Sequence, residues 1–515
     1  MKKTLTALVI GAMFVGAATA ASPLDSASRA WTYQHSGASG FLSEIVSFDS
    51  LTKTLWVAGV SGVDVLDAAS GSPLQRIDVS SFGTINSVAI RNGVAAFAIE
   101  SSTRTNPGFV KLYDTSTRSL LSGTNTITVG ALPDMLTFTP NGSKLLVANE
   151  GTPSTYGPLT STPGAFPRSY GPATVDPAGS VSIIDMGSRS VSVTATLAGV
   201  AQSGSHIRTN TGMDFEPEYI AINKAGTRAY VSLQEANAMG VLDVTSGQFT
   251  QVIGLGAKDF STPGNRIDPL NNNTAALASV NVKGLYMPDG MATYETGGKT
   301  FVLMANEGDF REDDGDRSTA GSAGLNAASP LSNLRVSNTD SSAGNLFAAG
   351  GRSFSIRDES GNLVFDSGEI LDREAMALGI YNDARSRDKG VEPESVEVIE
   401  IGNKAFAFIG LERTAYNNNA ELASNYVSAI AVFDITDPAN SSFVRMLKTD
   451  GDMAPEGLKG FSMNGRNFLA YSNEVSNTTT LYDLAPVPEP ATWALMLGGL
   501  VGVGVLSRRR ATPAG

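Results

Sequence analysis

One short unit recurs five times in this chain, and it constrains the fold more than any other feature of the sequence. Each copy opens on a proline and an acidic residue, continues through two apolar segments joined by a turn, and closes on a glutamate. The distance from the proline to the closing glutamate is 17, 18, 19, 19 and 19 residues, although the segments between copies differ widely in length. The constant unit is therefore structural, and the variable intervals are insertions. The copies run from Pro133 to Glu150, Pro217 to Glu235, Pro288 to Glu307, Pro393 to Glu412 and Pro455 to Glu474.

A third apolar segment that ends on aspartate follows most copies, as in Val181 to Asp185 and Ile430 to Asp434. Two upstream segments, Ile45 to Asp67 and Val88 to Asp114, have the same three-strand outline without the proline-acid opening. Two and five make seven units. Because radial repetition of small sheets protects the edges of a β-propeller, we expect an all-β, seven-bladed β-propeller with loop insertions. The apolar pattern also predicts one short helix, from Glu369 to Tyr381.

The insertions predict surface loops, and the start of the chain predicts ring closure. The segment 152–174 is dense in proline, glycine, serine and threonine, so we expect a loop without a packed core. The segment 257–279 and the stretch that follows 309–316 predict surface structure for the same reason. In propellers an early strand often completes the last blade, and the segment around Trp31 and Tyr33 is placed to do so.

The first 20 residues have the pattern of a secretory signal peptide. Lys2 and Lys3 precede an apolar run, and Ala18-Thr19-Ala20 provides a small-residue cleavage site. The chain has no cysteine, so an exported protein of this sequence has no disulfide bonds. Its two histidines, His35 and His206, are too few for a histidine-based zinc site.

The last 30 residues have three parts, which divide the chain into residues 1–20, a propeller over residues 30–484, and an anchor segment over residues 485–511. Pro488, Glu489 and Pro490 precede an apolar stretch, 491–506, which suits a stop-transfer helix. Arg508, Arg509 and Arg510 follow it. This arrangement resembles the PEP-CTERM sorting signal of Gram-negative bacteria. The resemblance implies recognition by an exosortase, membrane association through the helix before processing, and delivery to the cell surface, outer membrane or extracellular matrix.

The acidic residues that open and close the units predict a ring of carboxylates. Equivalent positions of successive blades lie around one axis, so these side chains must crowd together. Crowded acids raise one another's pKa unless a cation lies among them. Carboxylate oxygens without histidine or cysteine favour calcium or magnesium, and calcium is the cofactor we expect. The predicted ligands are Asp134, Glu150, Glu218, Asp289, Glu307, Asp309, Glu394, Glu412, Glu456 and Glu474.

An alternative for these acids needs no ion. An acid after proline can accept backbone N–H bonds in a turn, and a glutamate at a strand end can pair with an arginine such as Arg413. The acidic loop from Asp309 to Asp316 lacks EF-hand spacing. That loop is either a solvated turn or a calcium loop of another kind.

Motifs of catalysis and nucleic-acid binding are missing from the sequence. It contains no G-x-S-x-G elbow and no phosphate-binding glycine loop. Acidic residues number 50 against 37 lysines and arginines, and without Lys2, Lys3 and the three terminal arginines the net charge is −18. A surface of that charge is a poor partner for nucleic acid.

Three motifs, in order, resemble the choice-of-anchor I domain, a bacterial surface family similar to mesenchyme-specific cell surface glycoproteins. They are Leu132 to Gly151, Ala305 to Asp309, and Asp388 to Arg413. The resemblance implies a YVTN/WD40-like propeller without a settled activity. Two functions follow as expectations. The first is a non-catalytic binding or adhesion module, with extracellular polysaccharide or surface proteins as partners. The alternative is a calcium-dependent phosphoesterase of the alkaline phosphatase or phytase kind.

Overall fold

A computed structural model describes residues 23–36, 41–418 and 420–486. The predicted signal peptide lies outside these residues, as do the sorting residues Pro488, Glu489, Pro490 and Arg508 to Arg510. Among the helices that are described, none is long and apolar enough to cross a membrane.

The described chain consists almost entirely of β-strands, which confirms the predicted all-β class. Strand β1 (Ser28–Gln34) comes first, and the strands that follow form seven antiparallel sheets, numbered I to VII in chain order. Sheet I contains β2 (Ser43–Asp49), β3 (Thr54–Gly59), β4 (Gly62–Asp67) and β5 (Pro73–Asp78). Sheet II contains β6 (Thr84–Arg91), β7 (Val94–Glu100), β8 (Pro107–Asp114), β9 (Ser119–Leu120) and β10 (Thr126–Ala131). Sheet III contains β11 (Pro133–Phe138), β12 (Lys144–Asn149), β13 (Ser180–Asp185) and β14 (Ser190–Thr196).

Sheets IV and V carry the longest insertions. Sheet IV contains β15 (Gln202–Ser205), which pairs in parallel with the last strand, then β16 (Ile220–Ile222), β17 (Arg228–Leu233), β18 (Ala238–Asp243) and β19 (Gln248–Leu255). Two short strands follow, β20 (Ala257–Asp259) and β21 (Lys283–Leu285). Sheet V begins with β22 (Met291–Thr296) and β23 (Lys299–Asn306). It resumes, after the inserted strands β24 (Arg317–Thr319), β25 (Arg335–Ser337) and β26 (Phe347–Ala348), with β27 (Ser353–Asp358) and β28 (Leu363–Asp366).

One α-helix, α1 (Ile370–Ala377), separates sheets V and VI within the described residues. It confirms the predicted helix but is shorter than predicted, because the chain turns at Gly379 with a positive φ. Short 3₁₀ turns lie at Asp383–Arg385, Tyr416–Asn418, Ala423–Asn425 and Pro438–Asn440. Sheet VI contains β29 (Pro393–Ile401), β30 (Lys404–Leu411), β31 (Val427–Asp434) and β32 (Ser442–Asp450). Sheet VII contains β33 (Pro455–Met463), β34 (Arg466–Asn473), β35 (Thr478–Pro486) and β1.

The seven sheets form a closed ring. The first strand of each sheet contacts the first strand of the next, and the first strand of sheet VII contacts that of sheet I. A separate cluster of buried apolar side chains fills the gap between each pair of consecutive sheets. The core is therefore divided around the ring, and burial of these clusters holds neighbouring sheets together.

Strand β1 closes the ring, as the sequence predicted. It pairs antiparallel with β35, so the start of the described chain completes sheet VII. His35 reinforces the closure: its Nδ1 is 2.8 Å from Asp64 Oδ2 in sheet I, and its Nε2 is 2.8 Å from Thr479 Oγ1 in sheet VII. Arg76 donates to both carboxylate oxygens of Asp64 at 2.7 Å. His35 is 3% exposed, and burial lowers its pKa.

Replacing His35 with leucine is expected to lower the free energy of unfolding by about 1–3 kcal/mol, because the buried Asp64 and Thr479 each lose a hydrogen-bond partner. Chemical denaturation measures the effect. His206→Leu is the matched control, since His206 is exposed and contacts only Ser205 through its ring nitrogens. Equal stability of the two variants would show that the His35 contacts do not hold the ring closed.

The insertions pack together, and the prediction of coreless surface loops is wrong in part. Segments 257–282 and 320–348 share a buried cluster that includes Phe260, Ile267, Leu334 and Val336, with Phe166 of the segment 152–174 against it. The apolar residues of this cluster are far apart in the sequence and follow no strand or helix period. Local composition therefore gave no indication that they meet.

Candidate functional site

The proline-acid opening has a specific backbone geometry. The residue before the proline has a positive φ in four copies: 47° at Leu132, 44° at Met287, 54° at Glu392 and 62° at Ala454. Non-glycine residues seldom adopt this conformation. In sheets III, VI and VII the pairing register then shifts just after the proline, which places the acidic residue in a β-bulge. Bulges re-aim side chains, and here they direct the acids toward the centre of the ring.

The closing glutamate is tied to this opening by a backbone hydrogen bond, which explains the constant spacing. The N–H of Glu150 donates to Leu132 O at 2.8 Å, that of Glu412 to Glu392 O at 2.9 Å, and that of Glu474 to Ala454 O at 2.8 Å. A longer or shorter unit would lose this bond.

The asparagine before the closing glutamate has a structural role. The side chain of Asn306 donates to Ser353 O at 2.9 Å and to Ser355 Oγ at 3.0 Å, and Asn149 makes equivalent contacts with Ser180 and Ser182. Both asparagines are fully buried. They join the second strand of their sheet to the third, and leave the glutamate as the residue available for the site.

The acids converge on one cavity of about 390 Å³ at the centre of the ring. All seven sheets contribute to its wall. Five opening acids and one closing acid predicted from the sequence line it: Asp134, Glu218, Asp289, Glu394, Glu456 and Glu150. A second cavity of about 730 Å³ shares Ile45, Ser87, Met135 and Tyr219 with the first, so the two are continuous along the centre of the ring.

Glu44 and Glu100 also line the cavity, and the sequence analysis missed both. Glu44 follows Ser43 instead of proline, yet Leu42 has a φ of 41° and the register shifts after Ser43, as in the proline copies. Glu100 ends the second strand of sheet II, where the other units place their closing glutamate. The interpretation of these two units as plain framework was wrong. A search for serine-glutamate openings would have found Glu44.

Burial and mutual repulsion raise the pKa of these carboxyl groups. Burial, then the charges of Asp134, Glu474 and Glu100, raises the pKa of Glu44 to about 8. Burial and then Asp289 raise that of Asp134 to about 7. For Glu218, Glu394 and Glu456 the direction is the same, again from burial first and neighbouring acids second. The cavity therefore concentrates negative charge that the protein itself stabilises poorly.

The other predicted ligands lie beside the cavity, and protein cations already neutralise two of them. Glu307 contacts the Lys389 ammonium and accepts a hydrogen bond of 2.9 Å from Gln234 Nε2. Glu412 is paired with Arg413 at 2.5 Å. These pairs agree with the ion-free alternative. Glu474 has carboxylate oxygens within 4.8 Å of those of Glu412 and Glu456.

Lys389 lies within the carboxylate group formed by Glu307, Glu392 and Glu412, whose oxygens are within 4.8 Å of one another. Its Nζ is 3.3 Å from Glu392 Oε2, which also accepts a hydrogen bond of 3.0 Å from Arg385. The side chain of Lys389 is 8% exposed. Three basic side chains thus balance three acidic ones here.

The acidic loop from Asp309 to Asp316 is paired with arginines, not arranged around an ion position. Asp313 pairs with Arg311, Asp314 with Arg317, and Asp316 with the buried Arg208. The remaining acids of the loop are Glu312, which bonds Arg104 at 2.7 and 3.0 Å, and Asp309, which accepts a hydrogen bond from the N–H of Phe310 at 2.7 Å. These contacts favour the turn interpretation of the loop over a calcium loop.

Comparison with known proteins agrees with this architecture. No curated protein matches the chain. Among solved structures, hydrazine synthase of Kuenenia stuttgartiensis is similar with a TM-score of 0.48 and 12% identity, over 87% of this chain and 97% of that one.

Two family models match. The PEP-CTERM protein-sorting motif matches residues 486–510, which indicates an exported, surface-associated protein of Gram-negative bacteria that an exosortase recognises. The choice-of-anchor I domain matches residues 44–438, most of the ring and its insertions. The chain belongs to the choice-of-anchor I domain family.

Proposed function

We propose that this protein is a cell-surface binding module, a seven-bladed β-propeller whose central acidic cavity holds calcium. The closed ring of seven sheets and its closure by β1 support the propeller. The sorting motif supports a site of action outside the cell. Extracellular calcium is in the range to which weak extracellular sites are tuned.

One observation carries the cation proposal. Six opening acids line the cavity, and among the described residues none of the six forms an ion pair with a lysine, arginine or histidine. They are Glu44, Asp134, Glu218, Asp289, Glu394 and Glu456. Buried carboxylates without partners are expensive, so natural proteins pair them or use them to bind metal. Six to eight oxygen ligands in a flexible arrangement suit calcium.

The same wall argues against a phosphoesterase. Eight carboxylate side chains line the cavity, and Arg104 is the one basic side chain in its described lining. Arg104 is already bonded to Glu312. A phosphate group entering the cavity would meet repulsion without a basic clamp. We therefore favour a non-catalytic module, with an extracellular polysaccharide or surface protein as the partner of its outer face.

Calcium is expected to raise the melting temperature of the chelator-treated full-length protein at pH 8, because an ion that binds only the folded state stabilises it by mass action. At a calcium concentration of 100 times the dissociation constant, the gain is about 2.7 kcal/mol. Glu394→Gln should reduce this increment. Glu400→Gln is the control, since Glu400 is exposed on the same strand.

The cation proposal fails if calcium leaves the melting temperature of the wild-type protein unchanged. It also fails if Glu394→Gln and Glu400→Gln respond to calcium equally, because the increment would then come from sites on the surface.

A further inference from the structure

The acids around the cavity fall into three groups, and only one of these contains a protein cation at its centre. That group is Glu307, Glu392 and Glu412, with Lys389 among them. The lysine ammonium occupies the place that an ion would take between three carboxylates. The other two groups have the same crowding without an internal cation.

The first such group joins sheets V and VI. Carboxylate oxygens of Asp289, Glu307 and Glu394 lie within 4.8 Å of one another. The charge of Glu307 is taken by Lys389, which leaves Asp289 and Glu394 to face each other. Glu394 is 9% exposed, and its Oε2 is buried without a hydrogen-bond partner. Ser395 Oγ, in the same wall, is also buried and unpartnered.

The second group lies at sheet IV. The carboxyl groups of Glu218 and Glu235 are close enough to share a hydrogen bond. Glu216 is 3% exposed and Glu218 is 9% exposed. Buried oxygens of all three, Glu216 Oε1, Glu218 Oε2 and Glu235 Oε2, have no partner. A buried acceptor left unpartnered indicates a missing donor or ion.

The arginines nearest to the sheet IV group are already committed. Arg208 is held by ion pairs with Asp316 and Asp340, the latter at 2.8 Å. Arg104 is paired with Glu312. Neither guanidinium is available to neutralise the sheet IV acids.

We propose that the central cavity holds two hard divalent cations, one between Asp289 and Glu394 and the other at Glu216, Glu218 and Glu235. This inference rests on the proposed function and deepens it, since it fixes the number and the positions of the ions. The second position uses Glu216, which precedes the proline of its unit and is outside the repeated pattern. Carboxylate oxygens alone select calcium or magnesium over transition metals.

The test is the calcium content of the full-length protein, stripped with a chelator, dialysed against calcium in 0.1 M sodium chloride and measured by atomic emission. Wild type is expected to retain two calcium ions per chain. Glu394→Gln should retain one, the Glu216→Gln/Glu235→Gln double variant should retain one, and Glu400→Gln should retain two. Circular dichroism checks that each variant is folded, and Glu218→Gln replaces the double variant if that one is not.

The outcomes separate the inference from the proposed function. One ion in wild type would overturn the two-site inference and leave the cation proposal standing. No ion in wild type would overturn both. Two ions retained by the sheet IV variants would overturn the second position.

Discussion

In metal-free buffer, the stability of this protein is expected to fall as the pH rises from 5 to 8, by about 3 kcal/mol or more. Burial raises the pKa of Glu44 to about 8 and those of Asp134 and Glu235 to about 7, from ordinary values near 4. Between these values the folded state binds more protons than the unfolded state, so unfolding becomes easier as the pH increases. Below about pH 4 both states are protonated, and these groups contribute no dependence on pH.

Denaturant midpoints across this pH range measure the effect, and calcium supplies the contrast. The ion should restore stability at pH 8, where the acids are charged, and have little effect at pH 5, where protons compete for the same oxygens. A midpoint that is constant or increases from pH 5 to pH 8 in metal-free buffer would contradict the account of the cavity acids.

Replacing Lys389 with methionine is expected to destabilise the protein by about 3–5 kcal/mol. The ammonium is buried between Glu307 and Glu392, and its loss leaves both carboxylates without that cation. Removing one partner of a buried pair costs more than the pair contributes, because the remaining charge is left in a poorly solvated place.

Lys459→Met is the matched control for Lys389→Met. Lys459 also pairs with a glutamate, Glu397, at 3.0 Å, but its side chain is 40% exposed. An exposed pair contributes at most about 1 kcal/mol. Equal loss of stability in the two variants, measured by chemical denaturation, would show that Lys389 is not the internal counter-charge of its group.

The sequence predicted those parts of the fold that short-range chemistry determines. The spacing from Pro133 to Glu150 is constant because the backbone of the closing glutamate bonds to the residue before the proline. The aspartate at the end of the third strand, as at Asp185, caps the turn into the fourth strand by accepting from the N–H of Ser188 at 2.8 Å. Such features repeat because each unit solves the same local problem.

Long-range contacts determine what the sequence did not predict. Lys389 lies in an interval between units, and nothing in its neighbourhood indicates that it reaches Glu307. Glu216 precedes a proline like many other residues, and only the folded ring brings it to Glu235. The shared core of the insertions, with Phe260 against Leu334, joins segments more than 70 residues apart. Pairing across such distances leaves no local pattern.

A crystal structure of the protein grown in calcium, with anomalous scattering data, tests the central claim most directly. The account predicts calcium peaks in the cavity about 2.3–2.6 Å from carboxylate oxygens, with Asp289 and Glu394 among the ligands. A well-ordered cavity that contains water and no anomalous peak would contradict it.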